Sequence, residues 1–309
     1  MKKTYLLMPF LALALASCSN EDDVVAQGAD SIMNVKVSLD NPSSRAMVKE
    51  TSFGSGENIG IFLTAADGGA YDNQITGYSN VKYTSNGTGA DQTWTSTTPI
   101  KLSATTGSAY AYWPWLDLVP DMTAIALETG TQTDYMYSDE TDVQDVSNSD
   151  TEANFKMKHA LTAIRVNIIN DGYSGQGNVE RIAVTSDNFA TAGSMDITTG
   201  VVSYTDGTDG LEVELPVADD AQTAAGAPYT NEYMLVPTGN NGDIIIGVNM
   251  DNKIYTNKAT LQEAAKKGHI YTINLSAKNN DLSVLSVTIE EWKDGETVSG
   301  DMQINGGAE

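Results

Sequence analysis

His159 and His269 are the only histidines in the chain and the first groups to weigh as acid, base or metal ligand. They lie far apart, and neither has a ligand-spaced partner near it. A metal site needs several converging ligands, so His159, set inside an apolar run, reads as a half-buried strand histidine with one hydrogen bond. Gly172-Tyr173-Ser174-Gly175 lacks the Gly-x-Ser-x-Gly spacing of a nucleophile elbow. No glycine-rich loop ends in Lys followed by Ser or Thr, so no phosphate cradle is expected. The acidic stretch Asp139–Glu152 lacks the Asp-x-Asp-x-Asp-Gly order of a calcium loop and reads as a solvated charge run. Carboxylate pairs for glycoside chemistry can come from distant strands, and no spacing here favours them. The sequence therefore predicts a non-enzymatic protein with no catalytic residues, no metal and no cofactor.

Two other positions carry chemistry of a different kind. Lys2 and Lys3 precede an apolar run from Tyr5 to Ala16, too short to span a membrane as a mature helix. It ends in Leu15-Ala16-Ser17-Cys18, which resembles the lipobox of bacterial lipoproteins, and Cys18 is the only cysteine in the chain. Residues 1–17 are read as a signal peptide and 18–30 as a lipidated tether, with Cys18 acylated and held by outer-membrane lipid. Glu21-Asp22-Asp23 fits two readings: an acidic tag for surface export, as in some Gram-negative anaerobes, or a solvated linker. Farther on, Asn41-Pro42-Ser43-Ser44 breaks the chain and leaves Arg45-Ala46 in an exposed loop, the kind of tip that proteases cut. Lys49 is a competing site for a lysine-specific enzyme.

The densest aromatic cluster is Ala109-Tyr110-Ala111-Tyr112-Trp113-Pro114-Trp115. Trp113 and Trp115 could stack on a sugar, but Tyr110 and Tyr112 alternate like one face of a strand, and large aromatics dominate ordinary cores. Core packing is the expectation.

The elements that must position these residues are short strands. Met33, Val35, Val37 and Leu39 share one face of Ser31–Leu39, while Asn34, Lys36 and Ser38 share the other. Strands are expected at Ile59–Leu63, Gly77–Tyr83, Thr93–Thr95, Ile100–Leu102, Ala109–Trp113 and Tyr135–Tyr137, with Asp139–Glu152 as an aperiodic connection. From Phe155 to Ile168 the apolar side chains move from odd to even positions. That change of phase predicts a bulge near Ala160–Ala163 or a strand passing from one sandwich to the next. Strands resume at Val179–Val184, Gly193–Ile197, Val201–Tyr204, Leu211–Leu215, Glu232–Val236, Ile244–Val248, Lys253–Thr256, Ile270–Leu275 and Leu282–Ile289. Asp206-Gly207 and Asp209-Gly210 are turn formers. One helix is expected at Ala259–Lys267, closed by Gly268. The pattern predicts an all-β chain of two antiparallel β-sandwich domains, 31–153 and 154–309. In the tail 296–304, Val298, Gly300, Met302 and Ile304 share a face with the spacing of Met33, Val35, Val37 and Leu39, so it reads either as the last strand of its own domain or as a candidate donor strand.

A formal net charge of −24 argues against nucleic acid and anionic lipid as partners. With one cysteine there is no intrachain disulfide, and stability must come from core burial.

In order and spacing these landmarks resemble the fimbrillin family, lipoprotein precursors of the pili of anaerobic Gram-negative bacteria. The resemblance rests on the lipobox at Cys18, Ser44-Arg45-Ala46 after the first strand, and Phe53 leading into Gly60-Ile61-Phe62-Leu63. It continues through Tyr110–Pro114, Phe155 with His159-Ala160-Leu161, Gly193 to Gly200, Leu235-Val236-Pro237, and Gly268 to Leu275 before Ile289 and Trp292. It implies transthyretin-like sandwiches exported as a surface lipoprotein of the cell outer membrane. It also implies an Arg-specific cut carried onto Arg45, release of the first strand, and its replacement by a strand from a neighbouring subunit. The expected partners are other fimbrial subunits and a host or glycan receptor. The alternatives are a surface glycan-binding lipoprotein and a non-polymerising tip adhesin.

Overall fold

The computed structural model describes residues 31–39, 53–73, 77–89, 92–205 and 212–291. The signal segment and tether (1–30), Cys18, Arg45-Ala46, the turns at Asp206-Gly207 and Asp209-Gly210, and the tail 296–304 lie outside the described residues.

In chain order the first strands are β1 (Ser31–Ile32), β2 (Asn34–Leu39), β3 (Asn58–Ala65), β4 (Tyr78–Asn86), β5 (Thr93–Thr95), β6 (Lys101–Leu102) and β7 (Gly107–Trp113). Next come β8 (Ile125–Glu128), β9 (Met136–Ser138), β10 (Gln144–Val146), β11 (Glu152–His159), β12 (Thr162–Tyr173), β13 (Val179–Ser186), β14 (Phe189–Ala190) and β15 (Ala192–Met195). The last are β16 (Val202–Tyr204), β17 (Glu212–Leu215), β18 (Tyr229–Pro237), β19 (Gly242–Met250), β20 (Lys253–Leu261), β21 (His269–Asn279) and β22 (Asp281–Glu291). The chain is all-β. Among the described residues its one helical element is a short 3-10 turn at Tyr71–Asn73.

Eight strands form one sheet in the order β10-β7-β3-β4-β5-β2-β11-β9, and β7 also pairs with β9, so the order closes on itself. Inside it lie Met33, Val35, Phe53, Ile59, Ile61, Tyr83, Trp94, Phe155 and Met157. The five-stranded sheet β14-β18-β12-β21-β22 and the four-stranded sheet β17-β13-β19-β20 share a second core around Ile164, Val166, Ile168, Ile246 and Ile273. A third cluster joins Phe62, Tyr112 and Tyr137 to Leu127, Met195, Met234 and Ile270, uniting the eight-stranded sheet, the five-stranded sheet and the small sheet β16-β15-β8.

The phase change at Phe155–Ile168 is a change of sheet. Phe155 and Met157 face the first core, and Ile164, Val166 and Ile168 face the second. β11 stays in the eight-stranded sheet through His159, and Ala160-Leu161 carries the chain across. The segment Asp139–Glu152, expected as an aperiodic connection, instead contains β10, which pairs with β7 and buries Val146. Of the two valines in this acidic segment, Val146 is the buried anchor.

The expected helix at Ala259–Lys267 does not form. Ala259 and Leu261 end β20, which pairs with β19 along its whole length and points both side chains into the second core. Local helix propensity is worth tenths of a kcal/mol per residue, and a full ladder with buried apolar positions outweighs it. Gly268 does take the left-handed conformation, at φ 64°, but it closes a loop, donating its N–H to the Leu161 carbonyl at 2.7 Å.

Gly60 permits the closest approach in the first sheet. A Cβ there would collide with the buried Tyr112 ring, 2.6 Å from Cζ, and would lie 2.7 Å from Asn80 Oδ1, which accepts the Tyr112 hydroxyl. Gly60→Ala is expected to cost about 1–3 kcal/mol by overpacking, read as a lower denaturant midpoint at unchanged slope. An unshifted midpoint would contradict this packing.

Candidate functional site

Strand β2 sits inside the closed sheet, between β5 and β11, and its two sides are held unequally. Toward β11 it makes six parallel residue pairs, from Asn34↔Glu152 to Leu39↔Met157. Toward β5 it makes a single antiparallel pair, Val35↔Trp94. Just before it, Met33 N–H donates to the Ile100 carbonyl at 3.0 Å, and Asn34 N–H donates to Thr151 at 2.8 Å.

Side chains follow the period of two. Met33 and Val35 are each 2% exposed, and Val37 and Leu39 pack part-buried against the same cluster. Burying a Met or Val side chain fully stabilises by about 1.5–3 kcal/mol, so these positions dominate the seat. Its floor is aromatic: Trp94 meets Phe53 edge-on at 5.6 Å between centroids, and Phe53 meets Trp113 at 5.9 Å. On the outer face Lys36 pairs with Glu152 at 2.7 Å, but both are about half exposed, and such pairs add little.

On the same outer face of β11, Lys158 reaches Asp139 at 2.7 Å and Glu140 at 3.3 Å. Burial alone raises the Asp139 pKa. The Lys158 ammonium, with the hydroxyl and amide of Thr141, outweighs burial and holds the carboxyl at about 2. This contact fastens the loop between β9 and β10 onto β11.

The other sequence candidates resolve into structure. Trp113 donates its indole N–H to Glu57 at 3.0 Å and packs on Phe53. Trp115 donates to the Asn80 carbonyl at 3.3 Å, and Lys82 Nζ sits 4.4 Å from its ring centroid. Tyr112 is buried, which pushes its hydroxyl up to about 12. The cluster is packing, and the face of Trp115 is already covered by a cation. His159 shares a 2.8 Å hydrogen bond between Nδ1 and Asp134 Oδ2, the two side chains 9% and 10% exposed, and His269 Nδ1 meets the Lys267 carbonyl at 2.8 Å. Among the described residues no three His, Cys, Asp or Glu side chains gather to hold a metal ion, and no helix is long and apolar enough to cross a membrane.

Of the four apolar positions read in the first strand, all lie on the seat. The sequence left out the residues opposite them. Phe155 and Met157 carry the same alternation as Val35 and Val37, but nothing local marks that the two strands run parallel.

Fold and seat together define an all-β protein with an N-terminal strand inserted in an otherwise complete sheet. A family profile described as fimbrillin-like matches residues 44–292, and the chain belongs to that family. The family is one of structural, non-enzymatic proteins. The fold is similar to that of a candidate cell-adhesion protein from Bacteroides uniformis, at TM-score 0.65 and 18% identity over 85% of this chain and 98% of that one. It is also similar to one from Bacteroides ovatus, at TM-score 0.66 and 18% identity over 87% of this chain and 100% of that one. No curated protein matches the chain.

The Asp139 contact sets an acid dependence. Its folded pKa lies below the ordinary 3.8, so its stabilisation is present above about pH 4 and is lost as pH falls toward about 2. The full shift corresponds to about 2 kcal/mol. Asp139→Asn is expected to flatten acid unfolding in that window, read as stability against pH. An unchanged acid limb would contradict the assignment.

Proposed function

We propose that the chain is a structural subunit of a surface pilus, exported as a lipoprotein through Cys18, cut after Arg45 and polymerised by strand exchange. Its two halves are transthyretin-like sandwiches divided at Ala160-Leu161. It is held first at the cell outer membrane and then in an extracellular fibre supporting adhesion.

One observation carries this reading. β2 fills the middle of a sheet, yet it connects to all later strands only through residues 40–52, where Arg45 lies. A cut there frees β1 and β2 from the rest of the chain. It leaves β11 with a row of unpaired main-chain groups and vacates the sites of Met33, Val35, Val37 and Leu39. Such an edge is a template for another strand. The other two arginines support the choice. Arg165 lies in β12, paired on both sides and 8% exposed, and Arg181 lies in β13, also paired on both sides.

The proposed donor is the tail 296–304 of a neighbouring copy, with Val298, Gly300, Met302 and Ile304 taking the vacated sites. Gly300 brings no side chain and is its weak position. The description of the similar folds as cell-adhesion proteins favours a second reading, a non-polymerising tip adhesin or glycan-binding lipoprotein.

Arg45→Ala is expected to leave the chain uncut and monomeric, whereas the native filament begins at Ala46 on N-terminal sequencing. Met302→Asp/Ile304→Asp is expected to be cut at Ala46 yet to form no ladder on a gel, because each buried carboxylate costs several kcal/mol. Filaments that retain Cys18 would overturn the processing step. Normal ladders from the double aspartate variant would exclude this tail as donor. Polysaccharide binding by a cut chain that never ladders would favour the adhesin.

A further inference from the structure

The edge of β18 that faces away from β12 is only partly filled. Val236 is paired there with Ala190 of β14. At Met234 no strand is present among the described residues, and a side chain takes its place. Gln132 Oε1 accepts the Met234 N–H at 2.7 Å, and Gln132 Nε2 donates to the Met234 carbonyl at 3.2 Å. One amide thus makes both bonds that a neighbouring strand would make. Gln132 is fixed for this task by a third bond, from Nε2 to the Thr129 carbonyl at 2.6 Å, and by a left-handed backbone at φ 51°, unusual for a non-glycine residue.

The register says where the next rungs point. β12 and β18 are antiparallel, pairing Ala163↔Met234, Arg165↔Glu232 and Asn167↔Thr230. In an antiparallel ladder, residues of one parity bond to the neighbour and the alternate residues point away. Met234 points away, since its groups bond Gln132. Glu232 and Thr230 share its parity, so their N–H and C=O groups face the same open side. Among the described residues no strand pairs with them there.

A cavity of about 430 Å³ opens beside this edge. It is lined by Gln132 and Tyr233, by Leu215 and Val217 as an apolar ledge, and by Glu180, Arg181 and Glu214, of which Arg181 pairs with Glu214 at 3.1 Å. The side chain at the first open rung is itself incomplete. Glu232 is 4% exposed, its Oε2 accepts from Arg165 Nε at 2.7 Å, and its Oε1 has no hydrogen-bond partner. An unpaired carboxylate oxygen in a buried position calls for a donor.

We propose that this edge of β18 is a strand-accepting site that binds an extended peptide segment of another protein with an apolar–basic–apolar pattern. The segment continues the line begun by β14 and Gln132 and pairs with the main chain of Glu232 and Thr230. Its basic residue, opposite Glu232, donates to Oε1, and its flanking apolar residues rest on Tyr233, Leu215 and Val217. Charge favours this occupant over a second copy: with Arg181 paired to Glu214, Glu180 leaves the cavity lining net acidic, and the chain as a whole carries −24. The site lies where the Gln132 loop meets β18, apart from the β2 seat, and does not depend on pilus assembly.

The test uses the full chain in detergent and the synthetic peptide acetyl-Val-Lys-Val-Lys-Val-amide. Binding is expected to slow amide hydrogen exchange at Glu232 and Thr230. A twin peptide N-methylated at the pairing residues is expected not to bind. Replacing lysine by norleucine is expected to weaken binding about tenfold, the worth of one charge-assisted hydrogen bond. The proposal is overturned if both amides are already protected without peptide, if the methylated twin binds equally, or if no peptide binds. Because every change is made in the peptide, loss of binding cannot come from a misfolded variant.

Discussion

The parallel pairing of β2 with β11 is the contact on which the N-terminal half depends. It closes the eight-stranded sheet, brings Met33 and Val35 over the Phe53–Trp94 floor, and does so with a segment tied to the later strands by one connection. Ladders of this kind are strong in sum and replaceable in identity, because main-chain groups carry no sequence. Any strand with apolar residues at alternate positions meets the same demands. Assembly as proposed therefore needs a cut and a substitute strand.

The second half holds its comparable strand differently. β12 also runs parallel to a neighbour, β21, and is buried on its core face. Its other side, however, makes seven antiparallel pairs with β18, where β2 makes one with β5. The buried ion pair Arg165–Glu232 and the side-chain chain Thr230–Asn167–Asn274–Ser286 tie those strands again on the opposite face. β12 is locked on both flanks. β2 is locked on one flank and only touched on the other, an asymmetry that suits the proposed exchange.

Much of this was legible from period and punctuation. Alternation located the first strand and its four seat residues, and the phase shift at Phe155–Ile168 located the change of sheet. What escaped was non-local. Ala259–Lys267 has helix composition, and only the presence of β19 alongside turns its first part into strand. Val143 and Val146 are the only apolar residues in the acidic run, too little signal for a strand that β7 nevertheless pairs. Gln132 gives no local sign of acting as a strand, since that role exists only where the loop meets Met234.

The central claim is that the place between β5 and β11 is filled by the chain's own first strand before assembly and by another copy afterwards. A high-resolution structure of the assembled filament tests it most directly. The account predicts density in that seat that belongs to residues 296–304 of a neighbouring subunit, with each chain starting at Ala46. Density for the subunit's own Ser31–Leu39, still joined to its chain within the filament, would contradict it.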